Sequence, residues 1–122
     1  MRKLLFLFSC VVVYGYAHVW PAYRLDKDFA ISRALTLMDP RFTNYHRLFL
    51  AIEPGMTREE VEETIDSHYP AHGERKRPTY WDDTPHHLGL FMNPEHHREP
   101  NCEGISIRFA DNIVVGKGYS MD

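Results

Sequence analysis

Near the middle of the chain stands the run Pro54-Gly55-Met56-Thr57-Arg58-Glu59-Glu60-Val61, which indicates the fold more clearly than any other segment. Thr57 suits the N-cap of a helix, and Glu60, three residues later, can reach back to it, so the pair makes a capping box. Met56 and Val61 have the spacing of a hydrophobic staple. The run therefore predicts the start of a helix over 58–68.

Two more helices are predicted upstream, in a helical connector that spans residues 21–50. Two sets of apolar residues recur at the spacing of one helix face and are interpreted as core-facing: Ile31, Ala34, Leu35 and Met38, then Tyr45, Leu48, Phe49 and Ile52. Asp26 or Asp28 is placed to cap the first helix. Asp39-Pro40 ends it, because the residue before a proline avoids the helical region. An extended approach to Pro54 remains an alternative to the second helix.

Strand patterns follow the capped helix. Residues 78–81 and 88–92 are predicted as strands, and the clearest signal lies near the C-terminus. There, apolar residues at positions 105, 107 and 109 alternate with polar ones, Asp111-Asn112 turns the chain, and residues 113–115 lead back. Gly116 and Gly118 weaken this last strand and suggest a bulge or an edge.

Residues 1–20 have the composition of a targeting or anchoring segment. Arg2-Lys3 precedes an apolar stretch over 4–20, which as a helix would span roughly 26 Å, slightly short of the ~30 Å hydrocarbon core of a bilayer. We favour a retained single-pass membrane anchor. A signal peptide cleaved after Ala17 and a lipoprotein acylated at Cys10 are the alternatives. All three place the domain on the periplasmic or extracytoplasmic side of the cell envelope.

Residues 49–119 resemble the SmpA/OmlA family of BamE-like bacterial envelope domains, whose fold is related to that of the β-lactamase inhibitor proteins. The resemblance is carried by Gly55-Met56-Thr57 with Val61, by Tyr80-Trp81, and by the final hairpin with Phe109-Ala110-Asp111-Asn112. It implies an α+β domain over residues 51–122, with short helices packed on one face of a small, three-stranded antiparallel sheet. It also implies a non-catalytic protein–protein interaction module, tethered to the envelope and bound to another envelope protein, with a role in envelope or outer-membrane assembly or maintenance.

Histidines are concentrated between positions 68 and 97, in a segment longer and richer in histidine than the family pattern. His86, His87, His96 and His97 are candidate metal ligands, with Cys102 as a fifth, and Asp82, Asp83 and Glu95 are able to complete a shell. Their spacing matches no known ligand motif, and neighbouring histidines on a strand point to opposite faces. We therefore predict solvated histidines and no metal or other cofactor. The alternative is a periplasmic metal-binding or metal-sensing domain that uses this His-rich loop.

Charge and motif content exclude other classes. The net charge is −3 and the only dense basic cluster is Arg75-Lys76-Arg77, which argues against a nucleic-acid partner. The sequence shows no recognisable Ser-His-Asp arrangement and no phosphate-binding glycine loop, and Asp82-Asp83 is interpreted as part of a turn. We therefore expect no enzymatic activity.

Overall fold

The computed structural model describes residues 2–20, 26–73, 75–92 and 103–121. Within these ranges the helices are α1 (Arg2–Tyr14), α2 (Lys27–Leu35), α3 (Pro40–Ala51) and α4 (Arg58–His68). The strands are β1 (Thr79–Thr84), β2 (His87–Phe91), β3 (Gly104–Ala110) and β4 (Ile113–Ser120). The α+β class predicted from the sequence is confirmed.

The sheet is antiparallel throughout, with the strand order β1-β2-β3-β4. The expected three-stranded sheet is wrong, because β1 pairs along β2 from Thr79↔Phe91 to Thr84↔His87 and so adds a fourth strand. Asp82 and Asp83 lie within β1 and not in a turn. The turn between β3 and β4 is as predicted, since Asp111 and Asn112 both have positive φ, at 49° and 65°, as a two-residue hairpin turn requires.

A hydrophobic core lies between one face of the sheet and the helices α2, α3 and α4. The sheet contributes alternate residues of its strands to this core, as a period of two dictates, and they include Leu88, Leu90, Ile105, Ile107 and Phe109. The helices contribute Phe29, Tyr45, Leu48, Phe49, Val61 and Ile65. The connector helices α2 and α3 therefore pack into the same core as α4.

Helix α2 presents a different face to the core from the one predicted. Leu35 and Met38, expected to point inward, are 73% and 90% exposed, whereas Phe29 and Ser32 are fully buried. The helix ends at Leu35, before Asp39-Pro40 is reached. Asp39 and Pro40 instead begin α3, as its N-cap and its first helical residue. The second predicted apolar set is buried as expected: Tyr45, Leu48 and Phe49 on α3, and Ile52 directly after it.

The capping box at the start of α4 is confirmed. Thr57 accepts from the Glu60 N–H at 3.2 Å, and Glu60 accepts from the Thr57 N–H at 2.8 Å. Met56, the residue before the cap, packs against the core, and Val61 is buried within it. Gly55 has φ of 95°, a conformation that strains any residue with a side chain.

We expect Thr57→Ala to lower the free energy of unfolding by about 0.5–2 kcal/mol, because the backbone N–H of Glu60 loses its acceptor. Thr57→Ser keeps the hydroxyl and should cost clearly less. Urea melts of the parent and both variants measure the difference. An alanine variant as stable as the parent would contradict the capping argument.

The outer edge of β4 is already bonded to other parts of the chain. The Val114 carbonyl accepts from the Gly55 N–H at 2.9 Å, and the Val114 N–H donates to the Met56 carbonyl at 2.8 Å. Further along, the Tyr119 N–H donates to the carboxylate of Asp26 at 3.0 Å. Asp26 also caps α2 by accepting from Phe29 N–H, so one side chain joins the first core helix to the last strand.

Helix α1 ends at Tyr14 and continues as a π-helical stretch, Gly15–Val19. Its large apolar side chains from Leu4 to Phe8 are more than half exposed, as are those of Val11, Val12 and Val13. In contrast to the single-pass anchor expected over 4–20, none of the helices in the described ranges has both the length and the apolar character needed to cross a membrane.

Candidate functional site on the open face of the sheet

The face of the sheet opposite α2, α3 and α4 is called the open face here. It is defined by the outward residues of the four strands, which include Trp81, His87, Phe91, Ser106, Arg108 and Gly118. Trp81 is 51% exposed there. A large exposed aromatic side chain on a sheet face is a common anchor for binding, so this face is a candidate binding surface.

Three side chains from three adjacent strands form a continuous hydrogen-bonded chain on the open face, named the relay. His87 Nδ1 lies 2.6 Å from the Asp82 carboxylate, and His87 Nε2 lies 2.6 Å from the Ser106 hydroxyl. The β1 register shifts between Tyr80 and Asp82, and such bulges re-aim side chains. The shift brings Asp82 opposite Gly89, which in turn faces Ser106 across β2 and β3.

The partners of His87 fix the orientation of its ring. A carboxylate only accepts, so Nδ1 carries a proton toward Asp82. In the tautomer protonated on Nδ1 alone, Nε2 accepts from the Ser106 hydroxyl. The indole of Trp81 packs beside the imidazole, with the ring centroids 5.3 Å apart. Only 23% of the His87 side chain is exposed, so the ring is held from both ends and from one side.

Beside the relay runs a shallow apolar groove of about 400 Å³. Trp81 and Phe91 line one side, and Gly104 and Gly118 lie on its floor next to Ser106. A Cβ added at Gly118 would meet no other atom within 4 Å, so the missing side chain leaves this part of the groove open. Gly89 differs, because the Trp81 ring lies directly on it and any side chain there would displace the indole.

The histidines singled out from the sequence have different positions. His86 is exposed in the turn between β1 and β2, and His87 belongs to the relay. His96, His97 and Cys102 lie outside the described residues. Within the part of the chain that the structure describes, no three His, Cys, Asp or Glu side chains are grouped as a metal site would need.

We expect micromolar Zn²⁺ to leave the melting temperature nearly unchanged, because both ring nitrogens of His87 are already bonded and a metal would have to displace one partner. A ligand selective for the folded state stabilises it by RT ln(1 + [L]/Kd), about 2.7 kcal/mol at a hundredfold excess over Kd. A shift of several degrees in a thermal melt would therefore reveal a real site. Loss of that shift in a variant with His87 and His96 replaced by Gln would then assign the ligands.

A second polar cluster is sealed inside the core. Ser32 donates to the Glu103 carboxylate at 2.7 Å and lies 2.8 Å from His46 Nε2, and all three residues are buried. Burial, together with the positive charge of Arg33, lowers the pKa of His46 to about 4. Burial also raises the pKa of Glu103. Burial and the neighbouring Glu103 charge raise the pKa of the Tyr119 hydroxyl above its usual value. This cluster joins α2 and α3 to the residue before β3 and is closed to any substrate.

Comparison with known proteins does not add to this picture, because no family model, no curated protein and no solved structure matches the chain significantly.

The relay was not recognised from the sequence. Its members stand at positions 82, 87 and 106, a spacing typical of no motif. The alternation along β3 does place Ser106 on the polar face, but only the pairing register shows that His87 and Asp82 lie beside it.

Proposed function

We propose that this chain is an envelope-tethered protein–protein interaction module that binds another envelope protein through the open face of its sheet. The observation that carries the proposal is the groove beside Trp81. An exposed indole, the Phe91 ring and a glycine floor form the kind of pocket that receives an apolar anchor side chain from a partner. The resemblance to SmpA/OmlA domains supports the same role in envelope assembly or maintenance.

The face is favoured over the outer edge of β4 as the binding surface. Binding by strand addition needs a row of unpaired backbone groups along an edge. On β4, Val114 is already bonded to the segment at Gly55 and Met56, and the Tyr119 N–H is bonded to Asp26. A partner strand would have to break these bonds, whereas a side chain entering the groove breaks none of them.

Tethering is proposed through α1. Its apolar side chains are exposed on all sides, and burying such a surface in the apolar part of a membrane or against another protein is favourable by about 25 cal/mol per Å². The proposal also places the domain on the periplasmic or extracytoplasmic side of the envelope. Alkaline carbonate extraction of membranes tests it: a tethered chain stays with the lipid, and a processed chain that begins at His18 is released.

In-cell photo-crosslinking tests the binding surface. A photoreactive residue at Ser120, which lines the groove, should form a discrete adduct with one envelope protein. Gly118→Phe places a ring in the groove without displacing the core, since a Cβ there has open space, and should abolish the adduct. Val115→Phe adds the same bulk at an exposed position of the same strand and should preserve it. An adduct that survives Gly118→Phe would refute binding in the groove.

A further inference from the structure

The relay has the order of groups that activates a serine hydroxyl: a carboxylate, then an imidazole, then the hydroxyl. We propose that Ser106 is a nucleophile that accepts the acyl group of an apolar carboxylic ester, with His87 as its general base and Asp82 as a positioning residue. This goes beyond the binding role and does not rest on it. If confirmed, it replaces the expectation that the chain has no enzymatic activity.

The distances in the relay fit what this chemistry needs, because His87 Nε2 lies 2.6 Å from the Ser106 hydroxyl and Nδ1 lies 2.6 Å from the Asp82 carboxylate. In the tautomer that carries its proton on Nδ1, the hydroxyl donates to Nε2 and the ring donates to Asp82. A base within hydrogen-bonding reach of the hydroxyl, oriented by a third group, is the arrangement that activates a weak nucleophile. Adjacent strands hold all three side chains, and Trp81 restrains the imidazole, so the geometry exists before a substrate arrives.

The buried cluster contains the same types of side chain in a different order and shows why order matters. There Ser32 stands between the other two, and its proton is donated to Glu103 and not to His46. His46 therefore cannot act as base toward that hydroxyl, and the cluster is closed to solvent. Ser106 differs on both counts, because its hydroxyl lies 2.6 Å from an imidazole nitrogen and its side chain borders the groove.

The groove defines the substrate class. Its surface is mostly apolar, and Ser106 lies on its floor between Phe91 and Gly118, so an aliphatic or aromatic acyl chain can lie along it with its carbonyl near the hydroxyl.

The reaction proceeds in two balanced steps. Ser106 Oγ attacks the ester carbonyl carbon while its proton passes to His87 Nε2. The carbon–oxygen bond to the alcohol then breaks, and the alcohol leaves with that proton, so that acyl-Ser106 remains. In the second step, water attacks the acyl carbon and gives a proton to Nε2. The bond to Ser106 breaks, the hydroxyl regains its proton, and the carboxylic acid is released.

Labelling with an alkyl fluorophosphonate tests the proposal on the full-length chain, with the modified residue located by mass spectrometry. We expect the probe to react with Ser106 and not with Ser67, an exposed serine on α4 that does not line the groove. Ser106→Ala should abolish labelling, and Ser67→Ala should leave it unchanged. His87→Gln should slow labelling by about 100-fold or more, the range of a general base. Hydrolysis of p-nitrophenyl butyrate should follow the same pattern.

The test of Asp82 has to distinguish a positioning role in the reaction from a role in stability alone. Asp82→Asn should slow the labelling of Ser106, and Asp82→Glu, which restores the charged, acceptor-only carboxylate, should recover part of the rate, at melting temperatures equal to that of the parent. Equal labelling of Ser106 and Ser67, or a rate unchanged in Asp82→Asn, would overturn the proposal. Both of these measurements can still be interpreted if His87→Gln fails to fold. A refuted nucleophile leaves the crosslinking result at Ser120 unaffected, so the two proposals fail separately.

Discussion

Phe29→Ala is expected to lower the free energy of unfolding by about 3–5 kcal/mol, the cost of deleting a large aromatic side chain from a packed core. Phe29 is fully buried. Its ring lies 4.7 Å from that of Phe49, 5.2 Å from His46 and 5.5 Å from Tyr119, measured between centroids. The side chain thus joins α2 to α3 and to β4, and a cavity at this point separates three elements at once. Chemical denaturation followed by circular dichroism measures the loss.

Leu35→Ala is the matched control on the same helix. Leu35 is 73% exposed, so its truncation should change stability by no more than about 0.5 kcal/mol. The pair of variants distinguishes the observed face of α2 from the one predicted by apolar spacing, which would reverse the order of the two effects. A small effect of Phe29→Ala would show that α2 is not part of the folded unit.

Acid is expected to destabilise the chain through His46, by about 3 kcal/mol as the pH falls from about 6.5 to about 4. The pKa of His46 is lowered to about 4, first by burial and then by the charge of Arg33. A histidine whose pKa is lower in the folded state binds its proton more readily when unfolded. Its contribution is therefore fully present above the unfolded pKa and is lost as the pH falls through this window. Urea melts across the range measure the slope.

Glu103 acts in the opposite direction. Burial raises the pKa of its carboxyl, so its contribution is full below the unfolded pKa and is lost as the pH rises through the folded one. Comparing the parent with His46→Gln isolates the histidine, because the amide can still donate to Ser32 but does not titrate. The variant should show a flatter dependence between pH 6.5 and 4. His86→Gln, at an exposed turn, is the control, and a slope that it flattens equally would contradict the assignment to His46.

Features that depend on neighbours along the chain were predictable from the sequence. The capping box at Thr57 needs only residues up to Glu60, and the hairpin turn at Asp111-Asn112 needs only two side chains that tolerate positive φ. The strand patterns also indicated four separate segments. The count of three came from the family resemblance and proved wrong, since β1 pairs with β2 along its length.

Features that depend on tertiary packing were not predictable. Helix spacing predicts that Leu35 and Phe29 lie on different faces of α2, but which face meets the sheet depends on where Phe49 and Tyr119 lie. The relay required more, because its members come from three strands and meet only through a register shift before Asp82. Period-two alternation places Ser106 on a face and does not specify which residue lies opposite.

The hydrogen bonds along the outer edge of β4 also affect whether copies of this chain associate with one another. A strand with free amides at the end of a sheet is a template on which identical chains add their own strands, and such addition can continue into fibrils. Here Met56 and Asp26 already accept from the Val114 and Tyr119 amides. Self-assembly along β4 is thereby disfavoured, because a second copy would have to break these bonds before it could add its own strand there.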